Sequence, residues 1–442
     1  MNMDRKFFTW KKENFRWVIV AANFLVMIAL WTPWASYGVF LPRLAEDLNW
    51  NRGTTSVALS IVLIMGAPLG LAIGKIIDKY GPQKLMVLEV LFCSAAFLLG
   101  STTRQLWQLY VYLGVMEGCA FAGAYIIPTT TTARWFDKQR GLALSIVMSA
   151  TGVAYIIGPK LSVSLMEAYG WRTTFLFFGA GIALVGILPA LVLRNPSSAP
   201  ARPDAGSPPG PPGPGAQRPD PCAPAITLKS AAATSTFWIL VFVWLSQAFA
   251  QMMFVFHLVP MESDKGIALA VAATALSFYG VGLLLGRVIS GPLSDRIGAL
   301  PVLLGTSAIA ALSLAIVVAT GNVNVLCAAT FFFGIALSGA DTAYVRALPD
   351  IVGLSALGVL MGGGSLGWRF GGAIGPPFAG FLFDITHIYA IPFGIGIAVL
   401  LLGAVLFLVV SRPERQLEHL LAKKAAARAQ RRMKTGFEGN IR

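Results

Sequence analysis

Arg287 and Arg369 stand inside stretches that are otherwise apolar, SFYGVGLLLGRVISGPL and GVLMGGGSLGWRFGGAIGPP. A charge at membrane depth costs at least a few kcal/mol even on lenient insertion scales, so it faces a cavity or a partner. A guanidinium is also the side chain best shaped to take a carboxylate through two parallel hydrogen bonds. Two of them in apolar helices imply an anion bound within the bilayer. On a helix Arg287 shares a face with Leu276, Gly280, Leu283 and Ser290, and Arg369 with Gly358, Gly362, Ser365, Gly372 and Pro376. A guanidinium on so small a face needs open space or an anion beside it, although small residues also serve close helix packing.

The other chemistry-bearing groups are few. Asp341 could neutralise an arginine in an empty site and, once protonated, couple transport to a proton gradient, because burial and a nearby arginine push a carboxylate in opposite directions. Its competing readings are a static ion pair to Arg287 or to Arg346. Glu117 fits a structural pair with Lys160. His257, just before Pro260, could titrate in the working pH range or serve as a hydrogen-bonded cap. Tyr37 (with Trp34 on one helical face), Tyr125, Tyr155 and Tyr279 are candidate cavity walls, against the ordinary packing role of aromatics in spans.

These residues need apolar elements to hold them, and the composition supplies them. The 442-residue chain is 56% hydrophobic and 12% charged, against about 25% charged in soluble domains, which marks an integral membrane protein. Taking about 20 apolar residues per span, the chain divides into segments at 16–40, 54–77, 84–101, 106–131, 141–164, 173–193, 235–258, 268–291, 300–320, 322–346, 354–381 and 388–411. The first is too long for a signal peptide and lacks a small-residue cleavage site, so it is read as a retained span. Twelve spans group as an N-terminal six-helix bundle (1–194), a Pro/Gly-rich linker (195–234), a C-terminal six-helix bundle (235–411) and a basic tail (412–442). The linker, with SPPGPPGPGAQRPDP, is an extended tether by composition. The tail could lie on an anionic leaflet.

The net charge of +14 is distributed by topology. Most Lys and Arg fall on the face that holds both termini, while Arg43, Arg52, Arg104, Arg172 and Lys265 fall on the other. Positive-inside bias then places both termini in the cytoplasm. No nucleic-acid recognition motif accompanies the basicity, so no nucleic-acid partner is expected. The four cysteines show no metal-ligand spacing, and no Walker A, nucleophile elbow or HExxH occurs. Metal, cofactor and catalytic roles are not expected.

The halves repeat. GKIIDKYGPQK (74–84) follows the second segment and GPLSDRIG (291–298) follows the eighth. A duplicated six-helix unit with a loop motif in register is the arrangement of a two-bundle alternating-access carrier. In Gly74, Asp78, Lys79 and Gly81, and again in Asp295 and Arg296, the chain resembles the major facilitator superfamily. That resemblance implies an all-α membrane protein of twelve transmembrane helices in two pseudo-symmetric six-helix bundles, with the loop charges latching the bundles together on the cytoplasmic side.

Further residues resemble the monocarboxylate transporter and oxalate/formate antiporter group: Arg134-Trp-Phe-Asp-Lys-Gln-Arg140-Gly-Leu-Ala143, Tyr37-Gly-Val-Phe40, His257-Leu-Val-Pro260, Gly286-Arg287, Gly375-Pro376 and Leu382-Phe383-Asp384. The resemblance implies carboxylate binding at Arg287, with Arg369 similar to the second cation of the exchangers. Leu283 stands where animal monocarboxylate carriers have an acid, and sugar-porter signatures are absent. The expectation is a secondary transporter of a small monocarboxylate such as lactate or pyruvate, with a proton as co-substrate and no cofactor. Exchange of dicarboxylates for monocarboxylates is the alternative, and a non-transporting metabolite receptor a remote one. Its substrate site is expected at Arg287, Arg369, Tyr125, Tyr37 and Ser365, with Asp341 and His257 as coupling groups. A monomeric unit in a bacterial inner membrane is expected.

Overall fold

A computed structural model describes residues 2–136, 139–196, 231–352 and 357–411. Most of the linker and the whole basic tail therefore lie outside the described residues. The described chain is helical nearly throughout. The helices are α1 (Asn2–Ala35 continued by Tyr37–Leu48), α2 (Arg52–Tyr80), α3 (Pro82–Gly100), and an interrupted α4. The last is assembled from Leu106–Leu109, a π-helical turn Tyr110–Met116, Glu117–Ala120 and Ile126–Trp135. Next come α5 and α6, the two parts of Arg140–Val192 on either side of Gly170, and then α7 (Ser235–Asp264) and α8 (Leu269–Ile297). The chain closes with α9 (Ala299–Ala319), α10 (Val323–Val352), α11 (Leu357–Thr386) and α12 (Ala390–Val410).

By length and composition alone, 9 helices among the described residues could cross a membrane. The remaining three spans have identifiable reasons for escaping that criterion. α5 and α6 run on as one 53-residue helix interrupted only at Gly170, α4 is broken into short pieces, and part of α11 lies among residues whose side chains are not described. Twelve helices traverse the protein, as the apolar segments predict.

Glycine makes the tight reversals possible. Gly81 between α2 and α3 has φ 79°, ψ 162°, and Gly298 between α8 and α9 has φ 90°, ψ 157°. That region of backbone space is essentially reserved for glycine. The matching geometry at the two copies of the loop motif is the sequence repeat expressed in backbone. Gly170 (φ 75°, ψ 163°) does the same between α5 and α6.

Packing repeats as well. α1 packs on α5, α2 on α4 and α3 on α6, while α7 packs on α11, α8 on α10 and α9 on α12. Between the bundles α2 meets α11, α5 meets α8, and the second part of α1 meets α7. Small residues allow these approaches. A Cβ on Gly282 would lie 2.1 Å from the Phe331 carbonyl oxygen, and one on Gly38 would lie 2.8 Å from that of Val255. α1 bends at Ser36, where Pro33 precedes the break and the Ser36 hydroxyl donates to the Thr32 carbonyl at 2.7 Å.

Candidate functional site

The inter-bundle contacts locate the site. Along α2 and α11 they run from Gly53 against Gly380, through Ser60 donating to the Ala373 carbonyl and Leu63 beside Gly372, to Arg369 lying on Gly66 and Gly70. Along α5 and α8 they run from Ser277 donating to the Ile156 carbonyl, through Gly280 against Gly152, and end where Arg287 donates to the Met148 carbonyl at 3.3 Å. Each arginine therefore belongs to a contact between the bundles, toward the side that carries the chain termini. Arg287 lies ten residues, roughly 15 Å of helical rise, before the end of α8.

Their local settings explain the sequence around them. Gly286 lets α8 close on α10, where a Cβ would meet Ser338 Oγ at 2.3 Å and the Ile335 carbonyl at 2.5 Å. The adjacent Arg287 is thereby turned toward the other bundle. Arg369 occupies the room left by two glycines, since a Cβ on Gly66 would fall 2.4 Å from its Nη1. Among the described residues neither guanidinium has an ion-pair partner. The pairings of Arg287 with Asp341 and of Glu117 with Lys160 that the sequence suggests are not formed. Asp341 instead accepts from Trp244 Nε1 at 2.8 Å, with Trp244 stacked on Tyr344 at 4.8 Å.

The interrupted part of α4 lies between the two arginines. Tyr125, at the start of its last piece, is 40% exposed and within electrostatic reach of both Arg287 and Asp341. Ala122 and Ile126, on either side of it in sequence, border Gly70 beside the Arg369 guanidinium. Behind Arg287, buried Tyr279 takes a hydrogen bond from Gln251 at 2.8 Å and meets Tyr155 edge-on at 5.2 Å. Ser365 lies one helical turn before Arg369 on α11. Tyr37 is placed elsewhere. It is buried against Phe256, with its hydroxyl unpartnered.

On the side away from the termini the bundles are joined by a charge cluster that the sequence alone did not reveal. Arg52 at the start of α2 makes a two-pronged ion pair with Asp264 at the end of α7, the second contact being 2.8 Å. It also donates to the Tyr389 hydroxyl at 2.9 Å and lies 4.5 Å over the Phe383 ring. The Asp384 carboxylate accepts from the backbone N–H groups of Arg52 and Gly53 at 3.2 and 2.8 Å, capping α2 from the end of α11. His257 belongs here. Its Nε2 is 2.8 Å from the Pro376 carbonyl and its Nδ1 3.2 Å from the Tyr389 hydroxyl. A carbonyl can only accept, so Nε2 carries the proton, and Tyr389 donates to Nδ1 while accepting from Arg52. Charges at three helix ends were the available signal, with Arg52 one of the few cations on its face.

The loop-motif charges lie at the opposite surface. Asp295 pairs with Arg346 of its own bundle at 3.3 Å, both exposed. Lys79 is exposed with its Nζ 5.2 Å from the Tyr80 ring centre, and Arg296 is exposed. Gly74 and Asp78 fall in the last turns of α2, outside the described side chains. No candidate cluster of metal ligands occurs among the described residues.

Comparison with known proteins bears on this geometry. The sequence model of the Major Facilitator Superfamily matches residues 19–273 and 258–435. Human monocarboxylate transporter 11 is 25% identical over 90% of this chain and 83% of its own length. The uncharacterized transporter YcxA of Bacillus subtilis is 24% identical over 89% of this chain and 95% of its own. The chain spans only 42% of the yeast transporter ESBP6, at 27% identity. Among solved structures, a bacterial homologue of the human lysosomal transporter Spinster, in an inward-facing and unoccupied conformation, superposes with a TM-score of 0.70 at 15% identity. That match covers 92% of this chain and 98% of the other. A mutant of the nucleoside transporter NupG gives 0.72 at 12%, covering 90% and 100%. These two show the fold alone.

Proposed function

Because the chain belongs to the major facilitator superfamily, we propose that it carries a small organic anion across the membrane by alternating access, with the anion's carboxylate held between Arg287 and Arg369. One observation carries this reading. Two guanidiniums without acidic partners among the described residues stand at contacts between the bundles, Arg287 against Met148 and Arg369 against Gly66 and Gly70. A half-buried charge without a counter-charge is costly to hold, and a carboxylate suits two such guanidiniums.

Tyr125 and Ser365 complete the pocket, and Asp341 sets its charge balance. Tyr37 sits behind the pocket wall. The Arg52–Asp264–Asp384 cluster is the gate on the far side, closed in this conformation. The Asp295 and Arg296 loop, with Asp78 and Lys79, acts as the opposing latch when the bundles rock. Both termini face the cytoplasm, in a bacterial inner membrane, and one chain is the working unit.

A proton-coupled monocarboxylate such as L-lactate or pyruvate is the favoured cargo, in line with the relatives' names. Exchange of a dicarboxylate such as oxalate is the second reading, favoured by the two cations and by Leu283. Uptake of labelled L-lactate into proteoliposomes, with and without an imposed inward proton gradient, separates them. Accumulation driven by the gradient supports symport. Uptake that requires oxalate or another anion on the trans side supports exchange. Absence of both refutes organic-anion transport.

A further inference from the structure

Two carboxyl groups in the first bundle have no role in the anion site and, among the described residues, no side-chain partner. Glu117, on the short helical piece that follows the π-helical turn of α4, is 0% exposed, and neither of its carboxyl oxygens has a hydrogen-bond donor. Glu89, on α3, is 5% exposed, and its carboxyl lies against the Gly123 backbone with no side chain donating to it. The Tyr37 hydroxyl, on α1, is a third buried and unpartnered group, and it lies within electrostatic reach of Glu117. Cys93, one turn beyond Glu89, is within reach of both acids.

The surroundings are built to admit these groups without charge compensation. A Cβ on Gly123 would fall 2.2 Å from Glu89 Oε1, so glycine in the break of α4 leaves the space that this carboxyl fills. Gly118, next to Glu117, packs on Val62 and Met65 of α2. The titratable groups within electrostatic reach among the described residues are Tyr37 from α1 for Glu117 and Cys93 from α3 for both acids. Among the described residues no lysine, arginine or histidine reaches either acid. An ionised carboxylate in such a place would be a buried charge with nothing to offset it. The protonated acid is neutral and avoids that cost.

We propose that the buried carboxyls of Glu117 and Glu89 are proton-binding groups inside the N-terminal bundle, separate from the anion site, and that they supply the proton of the transport cycle. The link is the interrupted segment of α4. It begins just after Glu117, passes Gly123 at Glu89, and ends with Ala122 and Ile126 beside Arg369 and Tyr125 near Arg287. An anion drawn onto the arginines presses on the same five or so residues that shape the acid pocket. Loading and release of the proton are thereby tied to occupancy and to the direction in which the cavity opens.

This inference rests on the anion-transport reading for its function, and two readouts keep their failures apart. The first needs no substrate. Infrared difference spectra of the reconstituted protein, titrated from mildly acidic to mildly alkaline pH, should contain a carboxylic-acid carbonyl band that bleaches with pH and is lost in Glu117→Gln and reduced in Glu89→Gln. A band absent from the wild type, or unchanged in both variants, overturns the proton site whatever the cargo. The second readout is transport. In Glu117→Gln the concentration ratio of L-lactate reached under an inward proton gradient should collapse to the ratio without a gradient, while one-for-one exchange across the membrane continues. Gradient-driven accumulation at the wild-type ratio, or loss of exchange together with accumulation in a folded variant, overturns the coupling role. If the wild type carries no carboxylate at all, the anion reading falls and the infrared result alone decides whether the pair binds protons.

Discussion

Replacing Arg52 by glutamine should open the side of the protein away from the chain termini. Arg52 ties α2 of the first bundle to α7 and to Tyr389 before α12 of the second, through paired contacts to Asp264 and one to Tyr389. Charge-assisted hydrogen bonds contribute about 1.5–3 kcal/mol each where they are shielded from water. Here the side chains are 16% and 36% exposed, so water compensates Asp264 in part after the change. The caps from Asp384 use backbone N–H groups and survive it. A net loss of about 2 kcal/mol follows, or about a 30-fold rise in the ratio of far-side-open to far-side-closed molecules at 1.4 kcal/mol per tenfold. Spin labels at Arg104 and Asn322, exposed positions at that end of the two bundles, should report a longer-distance population that grows accordingly. Asp264→Asn should shift it similarly, and the double variant no further than the larger single effect. Unchanged distances in Arg52→Gln, or additive effects in the double variant, would refute the assignment of this cluster as a gate.

Other substitutions probe the site and the packing that supports it. Gly66→Ala places a methyl where the Arg369 guanidinium now lies; the flexible head group can shift, so the chain should fold while anion affinity, measured by equilibrium binding, falls about tenfold, equivalent to about 1.4 kcal/mol. Gly282→Ala drives a methyl onto the Phe331 carbonyl, where backbone cannot yield, and should cost about 1–3 kcal/mol of stability, seen as earlier thermal unfolding. Gly81→Ala and Gly298→Ala each force a side chain into glycine-only backbone space and should each cost about 1–3 kcal/mol in the same assay, with similar sizes because the turns are equivalent.

Much of the architecture was legible because it is periodic. Apolar runs of membrane length, the duplicated loop motif and the Gly-rich helix faces are local patterns, and they recur as twelve helices with matched turns at Gly81 and Gly298. Arg287 and Arg369 were legible because a charge in an apolar run stands out. The break in α4 was not, since nothing in GVMEGCAFAGAYIIP marks where a helix opens except its glycines, and those read equally well as packing residues. His257 was visible as a titratable group, but its position in the far-side cluster depends on Tyr389 and Pro376, more than a hundred residues away. Asp384 stood in a stretch of family resemblance without a physical role until the structure put it at the N-terminus of α2. Glu117 was expected to pair with Lys160, because one-dimensional reading assumes that a buried acid has a partner. Here the acid is left alone.

The most direct test of the central claim is equilibrium binding of L-lactate and of oxalate to the purified protein, compared among the wild type, Arg287→Gln and Arg369→Gln. Each guanidinium that clamps a carboxylate through charge-assisted bonds should be worth about 3 kcal/mol, so each variant is expected to lose at least about 100-fold in affinity while keeping its fold. Binding within about twofold of the wild type in both variants would contradict the two-arginine site, as would a wild type that binds neither anion.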